Sequence, residues 1–213
     1  MGMDNTTPDA PDTRATAGEA GTPVAARPLT RALLEIDAYT SGLGWDGPAR
    51  LFALVDTDRL RTEEPELAER LGLEDDDREG TPDGAPEAGG TSLTPIEQDE
   101  LPPDAPLDEF LAGIAWPDAV AGCALCVERL MLPPSAEAEI PEELRHEENV
   151  DALTRWVAEH PQRQEVRMTV GVLRDGERES ALRLRSRDAG TEVMTGPDLV
   201  PGLTEALAAT FEG

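Results

Sequence analysis

Three groups of side chains in this sequence have chemistry to offer: two thiols three positions apart, two tryptophan–aspartate steps, and an arginine-rich segment. Cys123 and Cys126 stand in C-A-L-C. A redox or zinc role would need a thiolate stabilised at a helix start, or two further ligands at metal spacing. The only histidines, His146 and His160, are isolated from the thiols and from each other. On a strand, positions three apart point to opposite faces. Both cysteines therefore read as core residues, with no metal site and no cofactor expected, and a cytoplasmic setting argues against a structural disulfide.

Trp45-Asp46 with Arg50, and Trp116-Pro117-Asp118, each set a tryptophan and a carboxylate just ahead of an expected strand. If those strands were neighbours, the residues could meet at one sheet end and wall a binding pocket. Asp46 and Asp118 could act as an acid/base pair only with tuned separation and pKa values. The plainer reading, which we prefer, has the tryptophans plugging the end of the core and the aspartates capping turns.

The segment 163–187 carries seven arginines (163, 167, 174, 178, 183, 185 and 187) against four acids (Glu165, Asp175, Glu177 and Glu179). It is positive by three within a chain whose formal charge is −27. Gln164–Leu173 and Glu177–Ser186 alternate polar and apolar residues around Arg174-Asp175-Gly176. A two-residue Asp-Gly turn would set Val166 against Arg185. A three-residue loop with a left-handed Gly176 pairs Val166 with Leu184 and Met168 with Leu182, which keeps apolar residues on one face. In that register Arg167 lies opposite Arg183, so an acidic group must cover the pair. The plain candidate is an acidic helix or insert of this same chain, and the functional one is an acidic ligand or partner segment held by Arg167, Arg183 and Arg185. The acidic insert could itself sit on that face until a partner displaces it.

Several classes of chemistry are missing. All 18 basic residues are arginine, so lysine Schiff bases and lysine-assisted phosphate binding are excluded. The sequence holds no G-x-G-x-x-G, Walker, H-E-x-x-H or G-x-S-x-G motif. With 45 acids the chain would repel phosphate backbones and anionic lipids, so neither a nucleic-acid nor a membrane role is expected. No apolar run is long enough to span a bilayer. The start of the chain lacks a signal-peptide pattern, and a cytoplasmic location is expected.

Residues 1–27 and 72–92 are too poor in large apolar residues to offset their chain entropy; the first is expected to be a disordered tail and the second a flexible acidic insertion in a single domain, 28–213. The pattern predicts a helix over 28–42, with Leu29, Leu33 and Ile36 on its buried stripe. A strand over 50–56 follows, then a short helix over 63–71. Thr94-Pro95-Ile96-Glu97 reads as a capping box opening another helix. A turn or two of helix is expected at 107–114, a long central strand at 121–132, and a helix at 149–159 with Val150, Leu153 and Val157 on one face. A final helix is expected from Thr195-Gly196-Pro197-Asp198 to about Phe211. The order gives an α+β domain: one mostly antiparallel sheet of about four to five strands, packed by helices, ending in the bulged hairpin and a helix.

Four stretches carry a resemblance. They are L-T-R-A-L-L-E-I-D with S-G-L-G-W-D-G-P-A-R-L-F-A-L-V, then I-A-W-P-D-A-V-A-G-C-A, then H-P-Q-R-Q-E-V-R with V-G-V-L-R-D-G, and T-G-P-D-L-V-P-G-L-T-E-A-L. Together they resemble a conserved-hypothetical family of actinobacterial cytoplasmic proteins named after a propionibacterial open reading frame. The resemblance runs from about Pro28 to Phe211 and implies no activity, substrate or catalytic residue. The element order is also similar, in topology only, to type III secretion chaperones. The expected function is a non-enzymatic, chaperone- or adaptor-like protein-binding domain, with a homodimer as one arrangement. The alternative is a small-molecule-binding protein or enzyme with its pocket near Trp45 and Trp116.

Overall fold

The computed structural model describes residues 27–73, 92–98, 101, 107–188 and 192–212. Most of the tail and insertion expected from composition lies outside the described residues. Six strands form one sheet in the order β2-β1-β3-β4-β5-β6, every neighbouring pair antiparallel. They are β1 (Arg50–Asp56), β2 (Leu93–Glu97), β3 (Val120–Met131), β4 (Gln164–Leu173), β5 (Arg178–Leu184) and β6 (Met194–Gly196). The expected four to five strands become six because β2 and β6 are short edge strands that the pattern reads as helix starts.

Seven α-helices accompany the sheet among the described residues: α1 (Pro28–Leu43), α2 (Thr57–Glu63), α3 (Pro65–Arg70), α4 (Leu107–Ala112), α5 (Pro134–Glu137), α6 (Val150–Glu159) and α7 (Pro201–Ala209). Period-two alternation splits the sheet's apolar residues between two cores. On one face Leu51, Cys123, Leu125, Val127, Val166, Met168, Val170 and Val172 pack with Leu111 of α4 and Leu207 of α7. On the other, Phe52, Leu54, Ala124, Cys126 and Ala181 meet Leu29, Ala32, Leu33 and Ile36 of α1. Burial on both faces explains the continuous apolar runs in β1 and β3.

The hairpin adopts the bulged register. Val166 pairs with Leu184, Met168 with Leu182 and Arg167 with Arg183, while Gly176 closes the three-residue loop at φ 92°. At Gly122 the strands pass so closely that an added Cβ would sit 2.6 Å from the Val172 carbonyl oxygen.

Three sequence expectations are corrected. Thr94–Glu97 forms edge strand β2 and not a helix. Thr94 Oγ1 lies 2.8 Å from Thr57 Oγ1, and Pro95 takes an outward position, where a missing N–H costs nothing. Thr195-Gly196 likewise belongs to β6, and the last helix opens later, with Pro201 in its first turn. The helix expected at 63–71 is α3, which starts only at Pro65, and an unexpected helix, α2, precedes it over Thr57–Glu63. The helix expected at 149–159 is present as α6, in which no residue is fully buried and Val150 is 59% exposed.

Candidate functional site

On the face that α1 covers, two arginines of the hairpin, Arg167 and Arg183, are buried with an acid against each. Arg183 donates from Nε and Nη2 to Asp37 of α1, at 3.0 Å and 2.5 Å to Oδ2. Both are buried, Asp37 to 1% exposure. Arg167, also 1% exposed, donates to Glu128 Oε1 from Nε at 3.1 Å and Nη2 at 2.8 Å, to Ser41 Oγ at 2.9 Å, and to the Gly44 carbonyl. The acids come from α1 and β3, so the covering group is this chain's own. Buried charges survive when paired and hydrogen-bonded, and here both conditions hold.

The network also suits the dipole of α1. Thr30, in its first turn, donates to buried Glu179 at 3.1 Å, and Arg167 closes on the carbonyl that follows its last turn. A carboxylate at the positive end and a guanidinium at the negative end each stabilise a helix.

The loop after α1 continues the same theme. Gly44 has φ 91° and Asp46 φ 67°, a left-handed conformation that aspartate tolerates better than most residues. The turn lays the Trp45 ring under two cations, Arg167 at 4.4 Å and Arg185 at 5.5 Å, and its Nε1 donates to Asp188 at 2.8 Å. The Asp46 carboxylate accepts both Arg185 Nη groups at 2.9 Å, and its backbone N–H donates to Glu128 at 2.6 Å. Hydrogen bonding from Arg185 holds the Asp46 carboxyl below its ordinary value. Glu165 also accepts from Arg185, so Trp45, Asp46 and Arg185 join one network with Arg167.

The tryptophans do not meet. In the antiparallel pairing of β1 and β3, Arg50 lies opposite Cys126 and Val55 opposite Val120, so strand starts fall at opposite sheet ends. Trp45 sits with the α1-face network, whereas Trp116 packs against the other core. Trp116 Nε1 donates to Thr210 at 2.9 Å, its ring stacks on Phe211 at 6.2 Å, and Arg174 ties the Trp116 and Pro117 carbonyls down. That is a core plug. Asp118 is exposed, and its backbone carbonyl accepts from Arg59. Arg50 pairs with Glu97 across β2. The expected pocket of Trp45, Asp46, Arg50, Trp116 and Asp118 is therefore not assembled. Cys123 and Cys126 are free, buried and in opposite cores, and burial pushes the Cys123 thiol up to about 12.

Two open cavities border this region. One, of about 300 Å³, is lined by Trp45, Asp46, Glu128, Arg129, Leu130 and Glu165. The other, about 270 Å³, lies between α1 and β2 and is lined by Glu35, Ile36, Tyr39, Phe52, Pro95 and Glu97. Tyr39 packs edge-on to Phe52 with centroids 6.4 Å apart and donates to Glu97 at 2.8 Å. That hydrogen bond holds the Tyr39 hydroxyl above its ordinary pKa.

Sequence reasoning missed Asp37, Glu128, Glu35 and Tyr39. Asp37 was detectable: it lies on the same stripe of α1 as Leu33, Ile36 and Thr40, where a carboxylate demands a cation. Glu35 and Tyr39, spaced i and i+4 on the opposite side, carried no comparable signal.

These features define a class: an α+β protein whose single antiparallel sheet is clamped to its first helix by a buried arginine–carboxylate network. The chain belongs to the family described as PPA1309-like protein, whose model matches residues 29–212. No curated protein and no solved structure matches it, so the topological likeness to type III secretion chaperones gains no support. Among the described residues no helix is long and apolar enough to cross a membrane.

Proposed function

We propose that this chain is a non-enzymatic, cytoplasmic protein-binding domain of adaptor or chaperone type. The observation that carries this reading is the open groove between α1 and β2, with its apolar floor of Ile36, Phe52 and Pro95 and with Tyr39 48% exposed on its rim. Solvent-facing aromatic side chains beside an apolar depression are characteristic of contact surfaces between proteins. The groups with more reactive chemistry are committed elsewhere. Arg167, Arg183 and Arg185 each hold a carboxylate of their own chain, and both thiols are buried.

The test is recovery of a tagged copy from the cells that make it, followed by mass spectrometry and size-exclusion chromatography. A protein retained in stoichiometric amount, a second copy of the chain included, is expected. Recovery of bare monomer, together with a metabolite that raises the melting temperature, would overturn the reading.

A second reading rests on the cavity of about 300 Å³ beside Trp45, which gives the small-molecule alternative a location. It would be a site of indole, Asp46, Glu128 and Glu165 without Trp116. Quenching of tryptophan emission by a metabolite, lost in Trp45→Phe, would favour it.

A further inference from the structure

The groove between α1 and β2 has one feature that its other walls do not share. Of its two carboxylates, Glu97 is committed: one oxygen accepts from Tyr39 at 2.8 Å and the other from Arg50. Glu35 has no ion pair or hydrogen bond among the described residues, although Arg31 stands four positions earlier on the same helix. Glu35 is solvent-exposed at the rim of the groove it lines, where partial burial against that surface holds its carboxyl above the ordinary value. An anionic or neutral ligand would leave this charge unpaired in a still drier site. A cation would neutralise it.

Size and shape narrow the occupant. At about 270 Å³ the cavity falls short of the ~300–1,000 Å³ typical of pockets for drug-sized ligands. It accommodates one or two side chains. The bordering strand β2 is the sheet edge, and the Gln98 N–H to Leu51 carbonyl bond leaves the backbone groups of residues 93, 95 and 97 pointing away from β1. Pro95 has no N–H to give there, so continuous strand addition is blocked and recognition falls to side chains. The whole chain, at −27, draws basic partners by its long-range field.

We propose that this groove receives a basic segment of a partner protein, an arginine or lysine beside an apolar residue, with the apolar group on Ile36, Tyr39 and Phe52 and the cation on Glu35. The assignment rests on the protein-binding reading and adds the chemistry of the partner and the place it docks. Tyr39, fixed by Glu97, forms the rigid wall against which the aliphatic stem of the basic residue lies.

The test uses a fluorescein-labelled peptide carrying an Arg-Leu-Arg core between glycine-serine spacers, titrated by anisotropy with the full chain. Glu35→Lys is expected to weaken binding about tenfold, because an attractive contact becomes a repulsive one. Glu205→Lys, an equal charge change at an exposed position of α7 on the far side of the sheet, is expected to leave it within about twofold. Replacing the peptide leucine by serine is expected to weaken binding to the wild type, and replacing its arginines by glutamate to abolish it. Equal loss in Glu35→Lys and Glu205→Lys, or indifference to the leucine, would overturn the groove. So would retention of a cellular partner equally by wild type and Glu35→Lys, an outcome that leaves the protein-binding reading standing. Failure of the wild type to retain any protein overturns that reading itself.

Discussion

Replacing Asp37 by alanine is the most informative perturbation of the α1–sheet clamp. Asp37 is 1% exposed, and Arg183 reaches it through bonds at 3.2, 3.0 and 2.5 Å. Removing the acid leaves a guanidinium in a site chosen for a neutral pair. Breaking a buried pair in this way costs about 3–5 kcal/mol, mostly because the surviving buried charge loses its hydrogen-bonded carboxylate. The cavity left by so small a side chain adds little, so nearly all of the loss is electrostatic. Against a typical domain stability of about 5–15 kcal/mol this is a large fraction. For a domain of this length, where each kcal/mol moves the melting temperature roughly 2–4 °C, the expected drop is about 6–20 °C.

The informative assay is a double-mutant cycle by urea unfolding, monitored by circular dichroism, with Asp37→Leu, Arg183→Met and the double variant. If charge stranding dominates, each single variant is costly, while the double variant recovers most of the loss because it replaces an ion pair by apolar groups of similar reach. A single Asp37→Leu costing under about 1 kcal/mol would refute the reasoning. A double variant as unstable as the sum of the singles would do so as well.

Three further outcomes are expected. Cys123 and Cys126 should not react with a thiol reagent in the native protein and should both react once guanidinium unfolds it, since each is buried and the Cys123 thiol is held up to about 12; fast native labelling would contradict their placement. Gly122→Ala should destabilise by about 1–3 kcal/mol or more, because the new methyl would meet backbone at 2.6 Å in Val172, whereas Gly171→Ala, facing the side-chain ends of Leu33 and Leu29, should cost less; chemical denaturation of both variants decides the order. Glu35→Gln should be at least as stable as wild type at neutral pH. The folded carboxyl is raised above 4.5, so its ionisation penalty is absent below that value and fully present above its folded pKa. The stability gap should therefore open as pH rises, and a variant less stable than wild type at pH 7 would show that Glu35 has a stabilising partner.

Much of the fold was legible in the sequence because its long elements carry strong periodic signals. The helix from Pro28, strands β1 and β3 and the hairpin register all follow from where apolar residues fall, since a one-residue slip would reverse the faces. The misses are short segments where local chemistry and tertiary context disagree. Thr94-Pro95-Ile96-Glu97 satisfies a helix start locally, but five residues lying beside β1 gain more from a ladder than from one isolated turn. The candidate site was legible by half. The opposition of Arg167 and Arg183 required an acid, yet which acid depended on α1 crossing β5, a contact between residues 146 positions apart. The supposed meeting of Trp45 and Trp116 failed for a topological reason: two strands that begin with similar motifs present them at one end only if parallel, and β1 and β3 are antiparallel.

The arginine excess of the hairpin changes meaning once its partners are known. Arg167, Arg183 and Arg185 face Asp37, Glu128, Asp46 and Glu165, and the three of these acids that come from outside the segment cancel its excess of three positive charges. A positive patch in an acidic sequence suggests an acidic ligand, but here the ligand is the chain itself, and its use is to hold α1 and the Trp45 loop against the sheet. Charge that can report on a partner must be charge left over after such internal pairing. By that criterion the informative residue is not an arginine but Glu35, on an apolar groove and without an ion pair or hydrogen bond among the described residues. Glu35 lines that groove, where partial burial raises its carboxyl pKa, and a cation placed there would offset the effect.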